Sequence, residues 1–411
     1  MMKRIMIALL ALLAVAVGCG GEQPSENGSV DSENGGETPV GVEDEEYVLP
    51  EADVYITVSD SIGIELGDSN YVFGQLAGAD LTAAGEIAVL DLQKARISIF
   101  TPTGDFVRSV GRQGSGPGEF LLPAGMTFFH GAAEEDVPDS LVPGFAVCDA
   151  MGGKLVYFDA GFNYMMDVQG FFPSPPAVLA GLEGGDLVGM KPEFLQDETG
   201  MYMGFTIAKW EMGAMEPSVV YFESMSPFDP SDLSSMQDDI VSFGANPDGL
   251  VLTAPLSTEM YTYTLWSPDG EEIFTFVQED YVRVPKTRSE IQLERDMVNS
   301  RMIQQGMPES MANWEPDPYR SAVGGLWFDG MDRIWVTRGT TRTPSFDVYD
   351  LDGNILFTAA LDAGERAMTW QVLIKNDVFL AFDADPEFYP QVFIGRLPGF
   401  DEEDEEETEG I

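Results

Sequence analysis

The chain is poor in the residues from which many catalytic and metal centres are built, for its 411 positions hold two cysteines and one histidine. That is too few cysteines for a disulfide framework and too few histidines for a zinc site built on several of them. Basic residues are scarce as well: 21 Lys and Arg stand against 70 Asp and Glu, a formal net charge of −49. Binding to a phosphate backbone or to anionic lipid headgroups needs clustered Lys and Arg, so nucleic acid and direct adsorption to lipid are excluded as partners. No apolar run among the first residues is long enough to span a bilayer. The stretch from Ile5 to Val17 falls short of the roughly 17 to 25 residues a spanning helix needs.

What is present begins with a targeting pattern. Lys3 and Arg4 precede the apolar run and Ala16-Val17-Gly18-Cys19 closes it, the order of a secretory signal over residues 1–18. The small residues before Cys19 resemble the lipobox of bacterial lipoproteins. That resemblance implies cleavage before Cys19, acylation of it, and attachment to a membrane through lipid. Gly20 stands where Asp would signal inner-membrane retention, which points to an outer-membrane lipoprotein of the cell envelope. Residues 19–46 then form a disordered acidic tether, with nine acids after Cys19 and no Lys or Arg. At the other end, residues 401–411 form an acidic tail in which Thr408 alone interrupts Asp401 to Glu409. Setting both segments and the two leading basic residues aside leaves 53 acids and 19 basic residues in the body, 47–400. Such a surface favours solubility in a crowded or saline setting before it implies a cationic ligand.

Residues 98–120, SIFTPTGDFVRSVGRQGSGPGEF, set the pattern of the body. Ile97, Ile99, Phe106, Val107 and Val110 flank Thr101-Pro102-Thr103-Gly104, a hairpin with a tight turn. Gly111, Gly114, Gly116, Pro117 and Gly118 follow, and neither a helix nor a central strand absorbs such a run, so the chain leaves the sheet there. Related hairpins recur at 156–168, 263–277 and 346–361, each preceded by a strand, at 144–149, 248–254 and 332–337. A weaker unit occupies 178–225, and a last one 370–397 takes its missing strand from VYITV at 54–58. Six units of about four strands, none able to bury its own faces, predict an all-β fold: a six-bladed β-propeller with an inserted amphipathic helix. The alternative is a large antiparallel sandwich. The insertion is placed at about 286–306, where Thr287 and Glu290 form a capping box and Ile291, Val298 and Met302 share a face. RISIFTPTGDFVRSVGRQGSGPGEFLLPAGMTF, residues 96–128, resembles the repeat of NHL-type six-bladed propellers. With the lipobox, it resembles the propeller lipoproteins of bacterial envelopes, a family whose members mostly lack an assigned activity.

Chemistry is thinly marked. The Gly-rich run 111–118 lacks the Gly-Lys-Ser/Thr and the helix of a phosphate loop. His130 reads as a loop residue and Cys148, among strand-type residues, as a buried small hydrophobe. Asp91, Asp149 and Asp383 end strands and are the candidate metal ligands. Six-bladed lactonases resemble the expected ring, and that resemblance implies a single calcium and a lactonase- or esterase-like hydrolase. Against this, an Asp after a strand commonly bonds its own turn. The other constellation is WEPDPYR at 314–320 with TRGTTRTP beyond it. Trp314, Tyr319, Arg320, Arg338 and Arg342 are aromatic and Arg groups of the kind that dominate contact surfaces, and Trp314 as packing for the insertion is the alternative. The reading that follows is a non-enzymatic binding module for a protein or extracellular polymer, with no cofactor; the calcium hydrolase stands second.

Overall fold

The computed structural model describes residues 47–129, 141–228, 240–304, 308–339, 344–364, 367, 370–383 and 388–400. The expected signal, Cys19, the tether, the acidic tail, His130 and Arg342 lie outside the described residues. After β1 (Val54–Ile62), hydrogen bonding groups the strands into five sheets. Sheet I is β2 (Leu76–Leu81), β3 (Ile87–Asp91), β4 (Arg96–Phe100) and β5 (Phe106–Val110). Sheet II is β6 (Pro123–Phe128), β7 (Pro143–Asp149), β8 (Lys154–Asp159) and β9 (Tyr164–Gln169). Sheet III is β10 (Val178–Gly181), β11 (Leu187–Gln196), β12 (Met201–Trp210) and β13 (Val219–Glu223), with the short β14 (Ser226–Pro227) also on β12. Sheet IV is β15 (Val241–Ala245), β16 (Val251–Pro255), β17 (Thr262–Trp266) and β18 (Glu272–Val277). One helix, α1 (Arg288–Gln304), follows. Sheet V combines β19 (Val323–Phe328), β20 (Ile334–Arg338), β21 (Ser345–Tyr349), β22 (Ile355–Asp362), β23 (Trp370–Lys375), β24 (Val378–Asp383) and β25 (Val392–Arg396) with β1.

Sheet V corrects the expectation of six separate blades. Its order is β19-β20-β21-β22-β1-β25-β24-β23, eight strands in one sheet. The cause is β1, which bonds β25 antiparallel on one edge, as the missing strand was expected to do, and β22 in parallel on the other, with Val54 opposite Ala359 and Thr57 opposite Asp362. Four blade-like sheets and one eight-stranded sheet therefore make up an all-β, propeller-like domain. Its first strands β2, β6, β10, β15, β19 and β23 adjoin one another in that order, and β23 lies against β2.

The core sits between sheets rather than at one centre. Ile97 and Phe120 meet Phe145 and Val156 between sheets I and II. Leu155 and Tyr157 meet Leu187 and Trp210 between II and III, and Ile207 meets Val251 between III and IV. Trp335 and Phe346 meet Ile374 and Phe393 between the two halves of sheet V. Each strand alternates its side chains between two faces, so each sheet is apolar on both sides and stable only when flanked. Close approach is paid for with glycine at one telling place: a Cβ on Gly125 of β6 would stand 1.9 Å from the carbonyl oxygen of Ala177.

The 98–120 stretch folds as its residues predict. Gly104 closes the hairpin with its N–H on the carbonyl of Thr101 at 2.9 Å, at a φ of +85°. Past β5, Glu119 accepts from Gly116 N–H at 2.9 Å and pairs with Arg112 at 2.6 Å, and Phe120 drops fully buried between sheets I and II.

Candidate functional site

The insertion between β18 and β19 carries the one α-helix among the described residues. Its helix starts where the capping residues place it: Thr287 N–H donates to Glu290 Oε2 at 2.7 Å, and Glu290 N–H donates back to Thr287 Oγ1 at 3.3 Å. These bonds satisfy helix-start groups that no intrahelical partner reaches. Ile291, Val298 and Met302 are buried together on one side, as their spacing predicts. Two backbone bonds tie the base of the insertion to itself, Lys286 N–H to Pro318 O at 2.8 Å and Arg320 N–H to Val284 O at 2.9 Å.

Three of the five predicted contact residues, Trp314, Tyr319 and Arg320, fall inside this assembly. Trp314 is buried with Met297, Val298 and Met302 of α1 against Met203 and Phe228 of the sheet III region, so it packs the insertion onto a neighbouring sheet. Asn299 grips its backbone in both directions, at 2.9 and 3.0 Å. Tyr319 lies under the Arg283 guanidinium, 3.7 Å from ring centroid to Cζ. Arg320 pairs with Glu290 at 2.6 Å, both side chains about one-eighth exposed, at 13%. Arg338 belongs to a different network, in sheet V: its guanidinium holds Asp347 through Nε at 2.8 Å and through a second, shorter bond. Arg342 lies outside the described residues. The structure thus unites Trp314, Tyr319 and Arg320 as framework of one insertion, and leaves Arg338 apart.

Further ion pairs brace the insertion. Lys286 meets Glu294 at 2.5 Å and Arg295 meets Glu315 at 2.7 Å. Burial pushes the Glu294 carboxyl above its usual range, with Lys286 opposing the rise and Glu290 and Asp317 adding to it. Across from sheet IV to sheet V, Tyr261, just before β17, donates to Asp347 Oδ2 at 2.7 Å and its hydroxyl lies 3.2 Å from that of Tyr349. Burial holds Tyr349 up at about 12 and Tyr261 well above its ordinary value, and the bond to Asp347 raises Arg338. Phenols held this far above neutral pH stay protonated and donate. They do not serve as a base or a nucleophile there.

The candidate metal ligands have other work. Asp91 is fully buried and accepts from Gly74 N–H at 2.9 Å, Gln75 N–H at 3.4 Å and Lys94 N–H at 3.0 Å. Asp149, equally buried, accepts from Leu121, Leu122 and Gly152 at 3.1, 2.8 and 3.3 Å. Each carboxylate sits at the end of the second strand of its sheet and holds the backbone that crosses in from the preceding one. Asp383 occupies the end of β24 in sheet V. Three ligands on sheets I, II and V do not converge, and among the described residues no group of three His, Cys, Asp or Glu is placed to hold a metal. Cys148 is buried and its thiol is pushed up, first by burial and then by Asp149.

Sequence reasoning missed Lys286, Glu294, Arg283, Tyr261 and Asp347. Their partners lie on other turns or other strands, and no local pattern marks them.

A family described as 6-bladed beta-propeller matches residues 79–170, from β2 through β9. The match takes in two of the five sheets. It is not the NHL repeat that residues 96–128 resemble, and with the eight-stranded sheet it corrects the assignment of this chain to the NHL-type six-bladed propeller family. No curated protein matches the chain. A solved structure of a duf4221 family member from Bacteroides vulgatus is 10% identical, covers 83% of this chain and 97% of that one, and has a TM-score of 0.46. A gluconolactonase from Xanthomonas campestris is 11% identical, with 86% and 99% covered and a TM-score of 0.41. Virginiamycin B lyase from Staphylococcus aureus is 8% identical, with 82% and 99% covered and a TM-score of 0.40. At these identities and scores the likeness assigns none of those activities to this chain. The role in hand is that of a propeller domain in general.

Proposed function

We propose that this propeller-like domain is a binding module of the cell envelope, held to a membrane by lipid on Cys19, and that the insertion around α1 is its contact face for a protein or an extracellular polymer. The observation that supports it most directly is how the insertion is built. Its apolar side is spent on sheet III and its inner charges are paired, so the remaining outer side of α1, with Arg288, Ser289, Gln292, Asp296 and Ser300 exposed, is a polar surface on a fixed base. Fixed side chains lose little freedom on association, which is where rigid contact surfaces gain affinity. The hydrolase reading receives no comparable support, since the oxygens of Asp91 and Asp149 are already engaged by backbone N–H groups.

The test compares recovery of partners from envelope extracts by the wild type and by the variant Arg288→Ala/Gln292→Ala/Asp296→Ala. Recovery falls by about tenfold or more if contacts worth about 1.4 kcal/mol are lost; undiminished recovery with an unchanged melting temperature overturns the assignment of that face. Separately, Cys19→Ser moves the protein from the membrane fraction to the soluble one if lipid on Cys19 is the attachment.

A further inference from the structure

The seam between α1 and sheet III is the richest in methionine of the cores among the described residues, with four where the others have two, one or none. Met203, Met297 and Met302 are buried in it and Met201 packs against it, beside Phe228, Val298 and Trp314. By contrast, the core between the halves of sheet V holds no methionine among the described residues, and neither do the cores around Tyr263 and around Val89. The seam is also not equally closed: Met302 is 1% exposed, Met203 6% and Met297 7%, while Met201 on the same face is only partly buried. Of the side chains in this seam, the thioether is the one that a mild oxidant turns polar without breaking the chain.

We propose that this seam is an oxidation-sensitive latch, in which conversion of its methionines to sulfoxides by a peroxide releases α1 from sheet III while the sheets stay folded. In the step, the thioether sulfur gives two electrons to the peroxide, the O–O bond breaks, an S–O bond forms, and water leaves. Met201 reacts first because it is the accessible member. Its sulfoxide is a polar group set against Met203 and the apolar side of α1, which costs free energy to keep buried, so the joint opens and Met203, Met297 and Met302 become reachable in turn. The sheets do not follow, because their ladders and their cores are separate from the seam. Reduction of the sulfoxides by a sulfoxide reductase reverses the chemistry, a pair of thiols giving the two electrons and becoming a disulfide while water leaves. This inference does not depend on the binding role proposed above, since it concerns only how the insertion is held.

The experiment treats the full chain with graded hydrogen peroxide, maps sulfoxides by peptide mass spectrometry, and follows hydrogen exchange across residues 288–304 and across β20 and β21. Exchange in α1 is expected to rise by about tenfold or more as the seam methionines oxidise, with β20 and β21 unchanged. Met201→Leu/Met203→Leu/Met297→Leu/Met302→Leu, nearly volume-conserving, is expected to keep α1 protected at the same dose. Trp314 fluorescence, which shifts red when the seam opens, reports the same event in the wild type should that variant fail to fold. The inference is overturned if α1 keeps its protection with the seam fully oxidised, if the fourfold variant releases α1 equally, or if the four seam methionines stay unmodified at doses that oxidise the exposed Met225 and Met260.

Discussion

Asp149 accepts three backbone N–H groups from two separate loops while wholly buried, and Asp91 repeats the arrangement one sheet earlier. A side chain that serves several buried donors leaves them all unpaired when it is removed, and each costs about 1 to 3 kcal/mol. Asp149→Ala is therefore expected to lose about 3 kcal/mol or more in denaturant unfolding, with Asp149→Asn intermediate. Exposed Asp352→Ala, as a control, stays within about 0.5 kcal/mol. An equal response of Asp149→Ala and Asp352→Ala would remove the structural role. Glu294 works in the opposite sense. Its carboxyl is raised in the folded protein, so its contribution is full below the ordinary glutamate range and is lost as pH rises through the raised value. The stability of wild type relative to Glu294→Gln, read from hydrogen exchange of α1, should fall with increasing pH across that window; a flat difference contradicts the assignment.

At the scale of the element, α1 joins two kinds of support that fail separately. The reciprocal Thr287–Glu290 bonds fix where the helix begins, and Thr287→Ala is expected to cost about 1 kcal/mol of helix stability, seen as faster exchange in the first turn. The seam fixes where the helix lies. Trp314→Ala removes the largest side chain in it, worth about 3 to 5 kcal/mol for a buried Trp. Exchange should accelerate over all of 288–304 and leave β20 and β21 unaffected. Global unfolding at a lower temperature with no local effect would mean that the insertion is part of the main core. The strands show the same division between local rule and neighbour. Turn residues at 101–104 and alternating apolar residues at 96–100 place β4 and β5 by themselves, whereas β11 and β12 run to ten residues each, a length that brings Met201 and Met203 to the seam.

For the whole molecule the deciding strand is β1. It lies between β22 and β25 and joins a four-stranded run and a three-stranded run into one eight-stranded sheet. Asp53 reinforces the parallel side by accepting from Thr358 N–H at 2.8 Å and from its hydroxyl at 2.9 Å, bonds that hold its carboxyl below the usual range. That contribution is present above the ordinary Asp range and lost on acidification. Ile56 of β1 is fully buried in the core of sheet V. Ile56→Asp is expected to lower the melting temperature and to bare the edges of β22 and β25, which then pair between molecules; light scattering reads that aggregation. A soluble monomer with an unchanged melting temperature would show that sheet V closes without β1. A second closure joins sheets I, II and V, where Lys375 Nζ donates to Asp80 Oδ1 at 2.8 Å and Asp80 Oδ2 accepts from Phe128 N–H at 2.8 Å.

Much of this molecule follows from residue order alone, because turns, strand alternation and helix caps act over a few positions. The hairpin at 98–120, the helix start at Thr287 and its buried face at Ile291, Val298 and Met302 are of that kind. The turn-bonding role of Asp91 and Asp149 was likewise readable, as the bland alternative to metal binding. What packing alone decided are the relations between distant segments: the second bond partner of β1, the Met-rich seat of α1 on sheet III, and the pairing of Arg338 with Asp347 rather than with Arg320 or Trp314. Hydrogen-bonding edges and apolar faces are generic, so a strand or helix accepts any complementary neighbour. Which neighbour it meets is settled only when the sheets close around it.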